Sequence, residues 1–212
     1  MQIITLLLYL GAILICLIAI FLIFWKFWFL RDPKRDIPKG SHILSPADGK
    51  INKIISSDKK IESIDKGLLG RINTCAEEIS RQYHLISIVM TPLDVHIQRS
   101  PIQGKVTKIR YSRGRFRNAI QKGIAIENER NEIIIQGSIT VKVIQIAGFL
   151  ARRIECFVEE NQKVDKGQRI GLINLGSQVS LIIPKDVDLA VKEGQRVTAG
   201  ETIIATLKPR RS

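Results

Sequence analysis

Hydrophobic and polar positions divide the chain into two unequal parts. Residues 3–24 contain no charged residue, and Trp25-Lys26-Phe27-Trp28-Phe29-Leu30 extends this run with aromatic side chains and one lysine. A bilayer core needs ~20 consecutive apolar residues, so the run predicts one membrane-spanning helix. A secretory signal would have a basic start, a shorter apolar region and a small-residue cleavage site. Residues 1–30 are therefore interpreted as an N-terminal membrane anchor.

After residue 30 the pattern changes to short runs of alternating character. Residues 31–40 are polar and interrupted by prolines, which predicts a linker. Partial period-2 alternation of β-branched residues then predicts half-buried strands. The runs are Lys50–Ile55, His84–Val89, Lys105–Ile109, Glu132–Gln136 and Ser138–Ile146, with Gly137 as a hairpin or bulge between the last two. Residues 112–122 have room for a turn of helix, and residues 41–212 are predicted to form one mainly β domain.

The C-terminal part contains an internal repeat. The segment Val164-Asp165-Lys166-Gly167-Gln168-Arg169-Ile170 recurs 27 residues later as Val191-Lys192-Glu193-Gly194-Gln195-Arg196-Val197. Each copy predicts a strand, a tight turn and a strand, an arrangement similar to the barrel-sandwich modules of lipoyl and biotinyl carriers. Those carriers need a modifiable lysine at an exposed hairpin tip between the two halves. Here the middle is Gly176-Ser177-Gln178, so we expect a β-sandwich or barrel-sandwich-like scaffold without the carrier function.

Positive charge dominates the chain, with a formal net charge of +13. The basic residues directly after the apolar run are Arg31, Lys34, Arg35 and Lys39. By the positive-inside rule they predict a protein of the cell membrane with its main domain on the cytoplasmic side. Further basic residues are Lys105, Lys108, Arg110, Arg113, Arg115, Arg117, Arg152 and Arg153. Beside an anchor they predict contact with anionic lipid, at ~1 kcal/mol per residue, rather than nucleic acid; a solvated basic face is the alternative.

The cysteines and histidines favour neither a disulfide framework nor a metal site. Cys16, Cys75 and Cys156 are odd in number and contain no Cys-x-x-Cys pair. The three histidines are His42, His84 and His96, too scattered for a zinc site. We expect no metal and a reducing compartment.

The dipeptide Gly176-Ser177 offers distinctive chemistry. A serine hydroxyl attacks the carbonyl of the preceding residue if the backbone is bent and a base removes its proton, and glycine permits such a bend. The resulting ester breaks by β-elimination, and the dehydroalanine hydrolyses to a pyruvoyl group on the new N-terminus. A neutral histidine is a suitable base and a carboxylate would fix its tautomer. His96 and Asp48 are the candidates.

Each of these residues also has an ordinary interpretation. Asp48 is compatible with a turn aspartate, His96 with a hydrogen-bonded histidine at a strand end, and Ser177 with an exposed hairpin residue. Their spacing along the chain does not join them.

Several stretches together resemble the phosphatidylserine decarboxylase family, in particular its short branch that includes archaetidylserine decarboxylases. The stretches are Phe29–Arg35, Ser45–Ile51, Met90–Pro101, Asn128–Asn131, Gln145–Ile154 and Gly171–Ser177. They occur in family order, and the likeness covers residues 29–207.

The resemblance implies a membrane-anchored proenzyme that cleaves itself between Gly176 and Ser177. The β chain of residues 1–176 and the α chain of residues 177–212 would remain together as a heterodimer, which could assemble into a higher oligomer. The pyruvoyl group made from Ser177 would form a Schiff base with the amine of a serine phospholipid and act as electron sink while CO₂ departs. The products would be an ethanolamine phospholipid and CO₂. Asp48 and His96 match family positions for self-processing, and His96 also for protonation.

Two departures from the family pattern affect the residue roles. Longer bacterial members carry His-x-x-His, and Arg99 stands where the second histidine would fall, so the division of roles between His96 and Arg99 stays open. We expect Arg99, Arg152 and Arg153 to meet the phosphate or carboxylate of the lipid. The family often has Thr or Arg where this chain has Gln178, which the reaction should tolerate.

Two other functions are alternatives to a phospholipid decarboxylase. A non-enzymatic, membrane-anchored barrel-sandwich adaptor would call for an extracytoplasmic domain and a long helical hairpin. A pyruvoyl decarboxylase of a soluble amino acid would gain nothing from an anchor. The tails of the lipid, acyl-ester or ether-isoprenoid, are not specified by the sequence.

Overall fold

One apolar helix precedes a domain made of strands. The computed structural model describes residues 2–58, 61–65, 71–75, 78–113, 129–148, 153–174 and 178–208. Helix α1 (Gln2–Ile23) continues into a π-helical turn (Phe24–Phe29). The 22 residues of α1 are all unburied and span about 33 Å at ~1.5 Å per residue, enough for a hydrocarbon core of ~30 Å. Among the described helices this is the one long and apolar enough to cross a membrane.

The strands confirm a mainly β fold. In chain order they are β1 (His42–Leu44), β2 (Gly49–Ser57), β3 (Ile61–Asp65), β4 (Arg71–Cys75), β5 (Tyr83–Val89), β6 (Ile97–Arg99), β7 (Gly104–Ser112), β8 (Arg130–Gln136), β9 (Thr140–Ile146), β10 (Arg153–Cys156), β11 (Lys163–Val164), β12 (Arg169–Asn174), β13 (Gln178–Pro184), β14 (Val187–Leu189), β15 (Arg196–Val197) and β16 (Ile203–Leu207). The first four predicted runs lie in strands, whereas the run Ser138–Ile146 starts two residues before β9, which begins at Thr140. Gly137 lies in the β8–β9 connection, as predicted. Most of the predicted helical turn at 112–122 falls in residues 114–128, outside the described part of the chain.

Four sheets arrange these strands. The largest has eight strands in the order β11-β7-β8-β9-β13-β5-β2-β15, and its described pairs are antiparallel. Two three-stranded sheets have the orders β10-β12-β6 and β1-β16-β14, and β3 pairs with β4. A single hydrophobic cluster joins Ile88 and Leu181 of the large sheet to Ile173 and Ile204 of the three-stranded sheets. Burial of side chains of this size stabilises by ~1.5–3 kcal/mol each, so the large sheet and the two three-stranded sheets pack around one shared core.

The internal repeat forms two tight turns on this scaffold. Gly167 and Gly194, at equivalent positions of the two copies, have φ of +79° and +83°, a conformation that favours glycine. The first copy contributes β11 to one edge of the large sheet, and the second contributes β15 to the other edge. Both edge strands have two residues, and such short strands limit unwanted pairing at sheet edges.

Residues 31–40, predicted as a linker, lie packed on the domain. A Cβ added at Gly167 would come within 2.3 Å of Ile37 Cδ1, and one added at Gly200 within 3.1 Å of the same atom. Ile37 therefore fills the space above two turn glycines, and the segment is a strap across the domain rather than a free spacer.

Candidate functional site

Three of the connections between the large sheet and the β10-β12-β6 sheet join neighbouring strand ends. Residues 90–96 lead from β5 to β6, residues 147–152 from β9 to β10, and residues 175–177 from β12 to β13. In the large sheet β13 lies between β9 and β5, and in the smaller sheet β12 lies between β10 and β6. Residues 175–177 join the end of β12 to the start of β13. The end of β12 therefore lies between the starts of β10 and β6, and the start of β13 lies between the ends of β9 and β5.

The strand registers show how closely these ends are aligned. Gln178, the first residue of β13, lies opposite Val89 on one side and Ile146 on the other. Asn174, the last residue of β12, lies opposite Arg153. The predicted cleavage segment thus begins beside the start of β10 and ends beside the last residues of β5 and β9.

His96 borders the other side of the same strand end. The backbone N–H of Ile173 donates to the carbonyl of His96 at 3.2 Å. Gly176 and Ser177 lie outside the described residues, as does Arg152. The structure therefore describes the strand ends around the predicted cleavage segment and not the segment itself.

The His96 side chain is fully buried. Its ring lies against that of Phe29, with 4.0 Å between the ring centroids. Neither ring nitrogen makes a hydrogen bond of normal geometry to a described residue. Burial lowers the pKa of His96 to about 4, although the backbone carbonyl and carboxylate of Asp94 favour protonation. His96 is therefore neutral at physiological pH and has a free nitrogen lone pair with which to accept a proton.

A chain of buried amides fixes the backbone of His96. Gln98 Nε2 donates to the His96 carbonyl at 2.7 Å, Gln145 Nε2 to Gln98 Oε1 at 2.8 Å, and Asn131 Nδ2 to Gln145 Oε1 at 2.9 Å. All three amide side chains are buried. These amides were not predicted as functional from the sequence. The one sequence feature that indicates them is a polar amide between apolar strand residues, as in Ile144-Gln145-Ile146.

Asp48 makes its hydrogen bonds away from His96. Both carboxylate oxygens accept from Arg35 Nη2 at 3.0 Å, and Oδ1 also accepts from the backbone N–H of Ala199 at 2.8 Å. Within the described residues no hydrogen bond joins Asp48 to His96. The structure thus does not place Asp48 as the group that fixes the His96 tautomer, and its role in self-processing stays a prediction.

A second carboxylate, Asp94, organises the connection that contains His96. Asp94 Oδ2 accepts from the backbone N–H of Thr91 at 2.7 Å and from its hydroxyl at 2.8 Å. Asp94 Oδ1 pairs with Arg196. Sequence reasoning missed Asp94, which closes the turn two residues before His96 and ties it to the second repeat.

Arg99 and Arg153, the two candidate substrate-binding arginines that the structure describes, differ in their surroundings. Arg99 is buried and donates to Asp32 Oδ1 at 2.6 Å and to the Gly167 carbonyl at 3.0 Å, so a bound lipid would have to displace internal partners. Arg153 begins β10 with a side chain 74% exposed, its Nε 3.4 Å from Glu155 Oε1. Of the described pair, Arg153 is the one open to solvent and beside the predicted cleavage segment.

Comparisons with known proteins agree with the resemblance. A family model described as phosphatidylserine decarboxylase matches residues 23–205. A Methanocaldococcus jannaschii protein, provisionally named as an archaetidylserine decarboxylase proenzyme, is 42% identical over 200 residues, 92% of this chain and 93% of that protein. Phosphatidylserine decarboxylase proenzymes of Chlorobaculum tepidum and Chlorobium phaeobacteroides are 36% and 40% identical, over 92% and 86% of this chain and 83% and 79% of theirs. The solved glucose permease IIA of Mycoplasma capricolum aligns with a TM-score of 0.41 and 17% identity over 81% of this chain and 97% of that one, too low to carry an argument.

Proposed function

The chain belongs to the phosphatidylserine decarboxylase family, and we propose that it is a membrane-anchored, pyruvoyl-dependent decarboxylase of a serine phospholipid. The substrate is phosphatidylserine or archaetidylserine, and the products are the ethanolamine lipid and CO₂. The observation that carries the proposal is a buried, neutral His96 bonded through its backbone to the strand that leads into Gly176-Ser177.

Self-cleavage requires a base near the serine hydroxyl. Gly176 follows Ile173 by three positions, and three extended residues span at most about 11 Å, so the cleavage segment starts close to the His96 carbonyl that Ile173 contacts. His96 takes the proton of the Ser177 hydroxyl as its oxygen attacks the Gly176 carbonyl carbon. His96 passes this proton to the Ser177 nitrogen as the C–N bond between Gly176 and Ser177 breaks, and an ester replaces the amide. Loss of the Ser177 α-proton expels the Gly176 carboxylate, and water then releases ammonia from the dehydroalanine to leave the pyruvoyl group.

The strands around the segment favour retention of both chains after cleavage. β13, which begins one residue after Ser177, pairs along its length with β5 and β9 in the middle of the large sheet. β12 is paired on both sides in the smaller sheet. These contacts hold the two new chain ends in place and support an αβ heterodimer.

The same residues suit the decarboxylation step. A pyruvoyl group at position 177 supplies an electron-withdrawing carbonyl that makes loss of CO₂ feasible. His96, next to the strand that leads into this position, is able to move a proton, and it would return one to the substrate carbon after CO₂ leaves. The exposed guanidinium of Arg153 is suited to the lipid phosphate or to the serine carboxylate.

Contacts at the end of the helix support a site at the membrane surface. Arg31 Nη2 donates to the carbonyl of Leu93 at 2.5 Å, which joins the His96 connection to the helix end. Leu93 is 63% exposed and Trp28 50% exposed, and aromatic residues at such positions favour the headgroup layer. With α1 in the membrane and the basic flank on the cytoplasmic side, His96 would lie at headgroup level. The surface basic residues would meet anionic lipid, although Lys108 and Arg110 already pair with Glu78.

The test is turnover of defined substrates by the purified full chain in micelles. We expect CO₂ release from carboxyl-labelled phosphatidylserine or archaetidylserine, trapping of the lipid on the protein by borohydride, and neither event with Ser177→Ala. Turnover of free serine at a comparable rate would instead favour a soluble substrate. No turnover of any serine compound by a correctly cleaved protein would contradict the proposal.

A further inference from the structure

The membrane helix ends directly against the candidate base. Phe29, the last residue of the π-helical turn, is fully buried, whereas its neighbours Phe27 and Trp28 are 69% and 50% exposed. The Phe29 ring lies 4.0 Å from the His96 ring, with 30° between the ring planes. Trp25 stacks on Phe29 at 4.5 Å and 11°. His96 is therefore at the inner end of an aromatic stack that continues into the membrane helix.

The backbone of the helix end holds this stack in place. The N–H of Leu30 donates to the carbonyl of Trp25 at 3.1 Å, the i→i+5 bond of a π-turn, and π-turns are frequent at functional sites. Arg31 Nη1 donates to the Trp28 carbonyl at 2.7 Å, and Nη2 donates to the Leu93 carbonyl. The end of the helix and the connection that contains His96 are thus joined at two points. One is the ring contact between Phe29 and His96, and the other is the hydrogen bond from Arg31 to Leu93.

We propose that Phe29 is a positioning residue for His96, and that the membrane anchor is thereby part of the active site and not only a tether. The ring of Phe29 fixes the plane of the imidazole and keeps water from its face. The Phe29 ring packs against the imidazole, and neither ring nitrogen makes a hydrogen bond of normal geometry to a described residue, so this ring contact helps to set the orientation of His96. This inference rests on the proposed function in one respect, the assignment of His96 as the base of self-cleavage.

The charged groups around His96 each have other partners. Asp94, on the same connection, is held by Thr91 and Arg196. Asp48, before β2, is paired with Arg35. Arg31, from the helix end, is bound to backbone carbonyls and opposes protonation. Burial is the largest cause of the low pKa of His96. The Phe29 ring, which lies against the imidazole, contributes to this burial. Loss of the Phe29 ring should admit water and move this pKa towards its ordinary value of 6.5.

The experiment follows self-cleavage of the full chain synthesised into nanodiscs, with a labelled pulse and a chase between about pH 5 and pH 8. Because neutral His96 is the active form, the wild-type rate should stay level over this range. Phe29→Ala should cleave roughly 10-fold more slowly, and its rate should fall as the pH drops towards 5. Phe27→Ala, which alters an exposed aromatic residue two positions away, should match the wild type in rate and pH profile.

Thermal melting in a Ser177→Ala background shows whether Phe29→Ala folds. If it does not fold, a second variant, Phe29→Leu, tests the inference. Phe29→Leu keeps an apolar cover but removes the ring, so its rate should fall while its pH profile stays level. A folded Phe29→Ala, or in its place Phe29→Leu, with the wild-type rate and pH profile would overturn the inference. If His96→Ala is inactive, wild-type behaviour of the Phe29 variant overturns the role of Phe29 and leaves His96 as the base. If His96→Ala still cleaves, His96 is not the base, and both the base assignment and the role of Phe29 are wrong.

Discussion

Ile173 donates its backbone N–H to the carbonyl of His96 at 3.2 Å. This bond continues the β12–β6 pairing by one residue and attaches a buried histidine to the strand that leads into Gly176-Ser177. His96 and Ser177 are 81 positions apart in the sequence, and the β12–β6 pairing brings His96 beside a strand that ends three residues before Ser177. The relationship is the structural basis for treating His96 as the base of self-cleavage.

Replacement of His96 should stop maturation. We expect His96→Ala to cleave at least ~100-fold more slowly than the wild type, because a positioned general base contributes typically 10²–10⁴-fold. The measurement is the fraction of intact chain over time on a denaturing gel. His84→Ala is the matched control: His84 is buried near the start of β5, bonded to Ser56 Oγ at 2.8 Å, and its loss should leave cleavage unchanged. Rapid cleavage of His96→Ala would assign the base to another group.

Stability of the uncleaved protein should depend on pH through His96. The folded protein holds His96 neutral down to about pH 4, whereas the unfolded chain protonates it below about pH 6.5. Unfolding therefore takes up a proton between these values, and stability falls as the pH is lowered from 6.5 towards 4. At ~1.4 kcal/mol per pKa unit the loss approaches about 3 kcal/mol.

Denaturant unfolding of Ser177→Ala in micelles at several pH values would measure this loss. His96→Leu in the same background should remove most of it. A remainder of the same sign is expected from His84, whose pKa is also lowered by burial. A pH dependence unchanged by His96→Leu would show that His96 is not the buried neutral group described above.

The buried amide chain should contribute to both stability and cleavage. Gln145→Leu leaves the Gln98 carbonyl oxygen and the Asn131 amide without their partner, and each unsatisfied buried group costs about 1–3 kcal/mol. We expect destabilisation of that order and slower cleavage, because Gln98 also bonds the His96 carbonyl. Gln136→Leu, at the exposed end of β8, is the control and should change neither property. Equal stability of the two variants would argue against the amide chain.

Asp48 should act through Arg35 rather than on His96 directly. The Arg35 side chain is 8% exposed and is paired with both oxygens of Asp48. Removal of Asp48 leaves Arg35 with the more distant Glu201 carboxylate, 3.9 Å away, and removal of Arg35 leaves the Asp48 carboxylate with the Ala199 N–H. Breaking a buried pair in this way costs up to about 3–5 kcal/mol. Asp48→Ala and Arg35→Ala should therefore slow cleavage to a similar extent and destabilise the Ser177→Ala protein alike. Normal cleavage by Arg35→Ala beside an inactive Asp48→Ala would instead show that the carboxylate takes part in the reaction.

The sequence pattern predicted the local elements well, because their signals are local. The apolar run gave the helix, β-branched alternation gave β2, β5 and β7, and the repeated Gly167 and Gly194 gave two turns with matching φ values. Family resemblance, rather than spacing, pointed to Ser177, His96 and Asp48. The resemblance did not indicate which strands are neighbours in the sheets. The alignment of the three connections follows from the strand order of the two sheets.

Tertiary packing also separated residues that look equivalent in the sequence. Phe27 and Phe29 belong to one aromatic run, yet Phe29 turns inward onto His96 while Phe27 stays exposed. Arg99 was expected to meet lipid, but Asp32, which is 67 positions away, pairs with it. Residues 31–40 have the composition of a linker and form a strap, because Ile37 fits over two glycines from distant turns.

The mass of the C-terminal fragment tests the central claim most directly. The purified wild-type chain should give a large fragment of residues 1–176 and a fragment of 36 residues that starts at position 177. The smaller fragment should resist Edman degradation and be lighter, by one ammonia, than the same fragment beginning with serine. Ser177→Ala should remain intact. An intact, unmodified wild-type chain, or a fragment that begins elsewhere or with an unmodified serine, would contradict the proposed mechanism.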